Sequence, residues 1–389
     1  TYTGEPVRSI RVADLDRDLK PEVLVVSTYG TLWVLREESL FQLKGRPLWS
    51  YPSAEGEEVQ PVEVVEVVDL TGDGQPEILV GTQTGQLRVY GGETSPPWSE
   101  DREPGSHLAK AGADRALVDL VVEDMTGDGQ PEILVRSAAG RLHLLRGETS
   151  LPPGEPRALW SYPSEGTAED MVVVDMAVAD LTGEGQPEIL VGTEAGALHV
   201  LQAADGALLG EEYVVGHKIQ FLDTGDLDGD SRPEVVAGGS QSMSVLDLKV
   251  ATGLSQDESL LNLEVQDQWQ HAIQGDLVQA NIVGLDFASP AILIQDRDGA
   301  AVLRERQSGA ANIIEGVHFR GGGSGVPAGF DDVNGDGFAE VAVATGRSVR
   351  LYGYSARALG SSSRWSFSTG GPVTTAAVGD VDVDEDHEI

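Results

Sequence analysis

The side chains best placed to do chemistry in this chain are carboxylates, and they recur at fixed spacing. Nine-residue segments of the form D-x-D-x-D-x-x-x-E, or near variants, begin at Asp14, Asp69, Asp124, Asp180, Asp226, Asp332 and Asp380. Side chains at positions 1, 3, 5 and 9 of such a segment can converge on one cation, and the backbone carbonyl of position 7 adds a further oxygen. In chain order the candidate ligand sets are Asp14, Asp16, Asp18, Lys20 and Glu22; Asp69, Thr71, Asp73, Gln75 and Glu77; and Asp124, Thr126, Asp128, Gln130 and Glu132. They continue with Asp180, Thr182, Glu184, Gln186 and Glu188; Asp226, Asp228, Asp230, Arg232 and Glu234; Asp332, Asn334, Asp336, Phe338 and Glu340; and Asp380, Asp382, Asp384, Asp386 and Glu388. All of these donors are hard oxygens on a wrapping loop, which suits Ca²⁺ with its six to eight ligands better than Mg²⁺. Up to seven Ca²⁺ ions are therefore expected. Without a cation the clustered carboxylates repel one another and disfavour the fold.

The loops differ in strength. The first, fifth and last carry four carboxylates, whereas Thr71, Thr126 and Thr182 supply a weaker hydroxyl or a bridging water at position 3. Glu184 stands where the pattern has Asp, and its longer arm strains the geometry. The bland alternative for any loop is a metal-free turn in which Asp caps backbone N–H groups and Gly takes a left-handed conformation. An EF-hand is excluded: it needs Glu at position 12 and flanking helices, but position 12 is Val25, Val80, Val135, Val191 or Ala237 within strand-like runs.

Other chemistry is scarce. Seven histidines form no metal-ligand spacing, and His143 and His199 occupy equivalent repeat positions that packing explains. GGGSG at 321–325 is neither a phosphate-binding loop nor a nucleophile elbow. Acid pairs are too many for one to be singled out as general acid and base. With no cysteine, disulfides, zinc thiolates, iron–sulfur clusters and thiol catalysis are excluded. Lys and Arg number 26 against 64 Asp and Glu, a net charge of −38, which argues against nucleic-acid or anionic-membrane partners. More than half of that net charge sits in the nine-residue loops. The best apolar run, Met171–Ala179, is too short to span a bilayer and contains Asp175. The chain begins at Thr1 with no initiator Met or signal-like segment, as expected of a processed chain or a fragment.

The elements that position these loops repeat with them. Counting a degenerate copy at Asp286 that keeps its flanking strand but has lost the loop, the segments start 46 to 60 residues apart. Each follows a valine-rich run such as 61–70 and precedes a short apolar strand, a turn with glycine (Gly30, Gly85, Gly140, Gly196, Gly299) and an alternating strand such as 86–90. A fourth strand is marked by LWSYPS at 48–53 and 159–164 and by WSFST at 365–369. Four short strands per repeat predict an all-β fold: a β-propeller of four-stranded blades, seven complete and an eighth begun, closing as a seven- or eight-bladed ring. One domain is expected over 1–389, with units near 1–57, 58–115, 116–168, 169–215, 216–276, 277–325, 326–370 and 371–389.

Loop and strand together resemble the FG-GAP/VCBS repeats of integrin α subunits and of bacterial surface and secreted proteins. The fullest match is GFDDVNGDGFAEVAVATG at 329–346, and the resemblance covers essentially the whole chain. It implies a Ca²⁺-binding propeller with metal at the positions named above. The Gly-Ala-Pro segment typical of the family stands here as VGT, VRS, AGG or ATG, proline precedes the position-9 Glu in five units, and N-x-S/T sequons are absent, which points to a bacterial branch. LHVLQAADGALLGEEY at 198–213 is also similar to quinoprotein-like repeats, which supports the architecture but no quinone cofactor.

The resulting expectation is a calcium-stabilised, extracytoplasmic protein-binding, adhesion or scaffold module without a catalytic centre, taking a protein or glycan partner. Its alternatives are a polysaccharide lyase-like carbohydrate-active enzyme on a calcium propeller and one subunit of a larger surface assembly. Segments 93–115 and 251–276 are binding candidates, the latter with Leu260, Leu261, Leu263, Val265 and Trp269 as anchors, against the alternative of longer outer strands. Trp49, Trp160 and Trp365 recur at one blade position and are read as structural.

Overall fold

The computed structural model describes residues 5–18, 20–36, 49–51, 60–91, 107–110, 115–147, 158–163, 172–209, 213–227, 230–240, 242–251, 262–272, 277–284, 290–296, 301–305, 330–331, 340–345, 347–355, 358–359, 365–368 and 373. Those residues form antiparallel strands joined by turns, with no helix among them. The first sheet is β1 (Val7–Ala13), β2 (Glu22–Ser27), β3 (Leu32–Leu35) and β4 (Trp49–Tyr51). The second is β5 (Val62–Val68), β6 (Glu77–Thr82), β7 (Gln86–Gly91) and β8 (His107–Lys110). The third is β9 (Leu117–Glu123), β10 (Glu132–Ser137), β11 (Leu142–Arg146) and β12 (Ala158–Tyr162). The fourth is β13 (Val173–Ala179), β14 (Glu188–Thr193), β15 (Ala197–Gln202) and β16 (Tyr213–Val214). The fifth is β17 (Phe221–Gly225), β18 (Glu234–Gly238), β19 (Ser242–Ala251) and β20 (Asn262–Ala272). Three strands follow in the sixth: β21 (Leu277–Gly284), β22 (Pro290–Asp296) and β23 (Ala301–Glu305). In the seventh, β24 (Phe330–Asp331), β25 (Glu340–Thr345) and β26 (Ser348–Ser355) run in order, and both β27 (Ala358–Leu359) and β28 (Trp365–Ser368) pair with β26.

Strand order follows chain order in the first six sheets and in β24–β26 of the seventh, so these are up-and-down meanders, the unit of a propeller-type fold. The second strands, such as EILVGT of β6 and β14, are buried on both faces, which is why their sequence is a continuous apolar run rather than an alternation. Apolar clusters lie between consecutive sheets. Leu24, Val26, Leu32 and Val34 of the first meet Val62, Val65, Ile78 and Val80 of the second. Leu79, Leu87 and Val89 of the second meet Leu117, Leu120 and Ile133 of the third. Leu190, Leu198 and Val200 of the fourth meet Leu222, Val235 and Leu246 of the fifth. First strands also pack on the next sheet's first strand, β1 on β5, β5 on β9, β13 on β17 and β17 on β21.

The chain divides into two compact units, Thr1–Glu165 with Thr374–Ile389 and Gly166–Val373. The expected turn glycines Gly30, Gly85, Gly140 and Gly196 all have φ between 73° and 88°, and Gly299 lies outside the described residues. A register shift recurs in β1, β5, β9 and β13 near the residue six before the acidic loop, so the bulge repeats along with the loop.

Candidate metal-binding loops

Each of the five acidic segments that begin at Asp14, Asp69, Asp124, Asp180 and Asp226 joins the first to the second strand of its sheet, and their described residues share parts of one hydrogen-bonded frame. Position 1 is its hub. Asp124 Oδ1 accepts the N–H of Gly127 and Asp128 at 2.8 and 3.1 Å, and its Oδ2 accepts Gly129 N–H at 2.9 Å. Asp180 repeats this with Gly183, Glu184 and Gly185 at 2.7, 3.1 and 2.8 Å. Asp226 takes Asp230 and Ser231 N–H at 3.2 and 2.9 Å, and Asp69 Oδ2 takes Gly74 N–H at 2.6 Å. Position 5 accepts the N–H of position 7 in four loops: Lys20 to Asp18, Gln75 to Asp73, Gln130 to Asp128 and Arg232 to Asp230, at 2.7 to 2.9 Å. In the fourth loop, among the described residues, Glu184 accepts no such bond from Gln186.

The frame requires left-handed backbone at positions 4 and 6. Gly72, Gly74, Gly127, Gly129, Gly183 and Gly185 have φ of 70° to 85°, and Arg17 (58°) and Ser231 (69°) adopt the same region in the loops that lack glycine there.

Position 9 behaves as a buried latch. Glu22, Glu77, Glu132, Glu188 and Glu234 are 0 to 8% exposed, and each Oε2 accepts the backbone N–H of position 2, namely Leu15, Leu70, Met125, Leu181 and Leu227, at 2.6 to 3.0 Å. Those position-2 side chains are themselves buried, at 1 to 2% exposure, so the loop is pinned into the core beside the carboxylate that closes it. In the second, third and fourth loops the position-3 hydroxyls of Thr71, Thr126 and Thr182 donate to the other oxygen, Oε1, at 3.4, 3.0 and 3.2 Å. The latch was not anticipated from the ligand spacing. Its signal was the apolar residue at position 2 of every loop, Leu, Met or Val.

In the first loop one oxygen from each of Asp14, Asp16 and Asp18 lies within 4.8 Å of the others, a convergence that could hold an ion. The same loop carries a cation of its own. Arg36, just past β3, donates through Nε to Glu22 Oε1 at 2.8 Å and through Nη2 to Asp16 Oδ2. Arg17 reaches the neighbouring loop, donating to the Asp73 carbonyl at 3.1 Å.

The charges fit a hard cation. Burial pushes the carboxyls of Glu22, Glu77, Glu132 and Glu188 above the ordinary range, against the pull of the backbone N–H groups they accept. Asp69 Oδ1 is a buried oxygen with no hydrogen-bond donor on it, an acceptor a divalent ion would satisfy. Of the remaining candidate ligands, Asp228, Asp332, Asn334, Asp336, Phe338, Asp380, Asp382, Asp384, Asp386 and Glu388 lie outside the described residues, and Glu340 is placed only as the first residue of β25.

Several of the other sequence candidates lie in strands. His143 and His199 face Val135 and Val191 in the same register and are 6% and 2% exposed. Trp49, Trp160 and Trp365 pair with Val34, Leu144 and Leu351, equivalent register positions on the outer strand. Of 251–276, residues 262–272 form β20, the longer outer strand, which includes Leu263, Val265 and Trp269; Leu260 and Leu261 lie outside the described residues, as does GGGSG at 321–325. Within 93–115, β8 supplies the second sheet's fourth strand.

The FG-GAP-like repeat family matches residues 332–389. No curated protein matches the chain by sequence. Solved structures share its fold. Computationally designed Ika8 is 13% identical over 97% of this chain and 91% of its own, with a TM-score of 0.59. BBS1N, crystallised in complex with ARL6DN, is 15% identical over 84% and 87%, with a TM-score of 0.54. BamB from Moraxella catarrhalis is 13% identical over 96% and 91%, with a TM-score of 0.52. Family match, repeated meanders and structural likeness together make this a propeller-type repeat fold.

Proposed function

We propose that this chain is a calcium-stabilised, extracytoplasmic protein-binding or scaffold module of bacterial type with no catalytic centre of its own. The observation that carries the calcium reading is the shared loop frame. Five consecutive repeats bring carboxylates to the same turn, the aspartates of the first converge within 4.8 Å, and Asp69 in the second keeps a buried oxygen without a donor. Calcium at these loops would complete the coordination of positions 1, 3, 5 and 9 and offset the buried negative charge. Loops of this kind fill at millimolar calcium, the range found outside the cytoplasm, which supports an extracytoplasmic setting.

Propeller-type scaffolds present broad surfaces on rigid sheets, and a structural relative, BBS1N, was crystallised with a protein partner. A protein or glycan partner is the reading favoured here, on one 1–389 domain closed as a ring of seven or eight blades, a count that rests on the sequence repeats. Elemental analysis of purified protein and thermal melts in calcium and in EDTA test the metal. Depolymerisation of a polysaccharide panel by the purified chain would overturn the non-catalytic reading.

A further inference from the structure

The first and fifth loops carry the same four acids in the same places, so their ligand lists give no reason to separate them. The residue across the ladder from position 9 does. Glu77 faces Gly91, Glu132 faces Arg146 and Glu188 faces Gln202. One step beyond the Val23–Leu35 pair, Arg36 stands opposite Glu22. In the fifth sheet the ladder ends at Val235–Leu246, and continuing its register by one step aligns the buried Asp247 with Glu234. The first loop thus receives a guanidinium where the fifth receives another carboxylate.

The guanidinium is engaged. Its Nε bonds Glu22 at 2.8 Å and its Nη2 bonds Asp16, so one fork spans positions 3 and 9, two of the four side chains a divalent ion would need. Glu22 is fully buried, where water cannot take over from either partner. Arginine stays charged at all physiological pH, and its paired, charge-assisted bonds are stronger than neutral ones. In the third loop Glu132 uses the equivalent oxygen to accept the Thr126 hydroxyl, so the position-3 threonine completes the latch there.

We propose that Arg36 is the permanent counter-ion of the first loop, holding it closed without calcium and weakening calcium binding there relative to the fifth. The contrast between loops rests on the calcium reading above; closure of the first loop by Arg36 does not. Hydrogen exchange followed by mass spectrometry on the full chain reads both, from peptides covering 14–22 and 226–234 in EDTA and in excess calcium. In the wild type, calcium should slow exchange in the fifth loop by about tenfold or more and slow the first much less. In Arg36→Gln, the first loop should exchange about tenfold or more faster in EDTA, and calcium should restore its protection.

A wild-type first loop slowed by calcium as much as the fifth overturns the assignment, as does unchanged EDTA exchange in Arg36→Gln. If no wild-type loop responds to calcium, the calcium reading fails, and the EDTA arm still decides the role of Arg36. Should the Gln variant not fold, Arg36→Lys keeps the charge without the fork. Faster exchange confined to its first loop then supports the assignment, and wild-type exchange overturns it.

Discussion

At the residue scale the informative group is the position-9 glutamate, because it acts before any ion arrives. Glu132 Oε2 takes the N–H of Met125 and of Thr126, both at 3.0 Å, while Oε1 takes the Thr126 hydroxyl at 3.0 Å. Removing a side chain that is 4% exposed leaves these donors without water to replace it. Glu132→Ala is therefore expected to cost about 3 kcal/mol and Thr126→Val about 1 kcal/mol, read from urea unfolding in EDTA. Equal costs would show that the latch contributes nothing beyond the threonine bond. The spacing marked Glu132 as a ligand but could not reveal the latch, which joins a side-chain oxygen to a backbone N–H seven residues earlier. His143 gives a pH-dependent counterpart. Burial, with Arg141 beside it, lowers its pKa below the ordinary 6.5, and its Nδ1 lies 2.7 Å from Ser161 Oγ. The unfolded chain then binds the proton more readily, so the histidine's contribution is complete above about pH 6.5 and is lost as pH falls toward the folded value. The stability difference between wild type and His143→Asn should shrink between about pH 7.5 and 5.5, and a constant difference would remove the burial argument.

At the scale of elements, the hairpin between second and third strands shows how tightly one repeat is keyed to the next. Gly196 has φ +88°, and a Cβ there would lie 2.3 Å from the His217 carbonyl oxygen. Gly30 has φ +82° and the same problem against Pro61. Gly30 also accepts an N–H from the following repeat, Val62 at 2.9 Å, and Gly196 accepts one from Val215, just past β16, at 3.0 Å. Alanine at either position meets both a left-handed backbone penalty and a backbone clash, so Gly196→Ala is expected to cost about 3 kcal/mol or more. Gly216→Ala, also at positive φ but with nothing within 4 Å of the new methyl, should cost only about 1–2 kcal/mol. Comparable melting temperatures for the two variants would show that the contact with the next repeat is unimportant. These hairpins were legible because glycine, the EILVGT run and the alternating strand recur together. The outer strand was legible only where tryptophan marks it. In the fifth sheet the strand runs to Ala272, in a segment whose composition allowed both a binding loop and a longer outer strand. The difference lies in ten cross-strand pairs with β19, interrupted by one register shift between Val245 and Leu246, a long-range register that local patterning does not encode.

For the whole molecule the governing quantity is charge. A net −38 on 389 residues is concentrated in the acidic loops, so without bound cations the fold carries an electrostatic load. With a Kd of about 0.1–1 mM and calcium at about 1 mM, each filled loop contributes roughly 0.4–1.4 kcal/mol, and several filled loops reach a few kcal/mol. Chelation is therefore expected to lower the melting temperature by roughly 5–15 °C, with magnesium restoring much less than calcium because it holds its own water. Sodium chloride at about 0.5 M should recover part of the loss in EDTA, since it screens exposed carboxylates, and should add little when calcium is bound. The pair of experiments separates ion binding from general repulsion. Recovery by salt alone, equal to recovery by calcium, would mean that the loops sense ionic strength and not a bound ion. An unchanged melt in EDTA, with no calcium found by elemental analysis, would leave hydrogen-bonded acidic turns that keep the metal-site spacing without the metal.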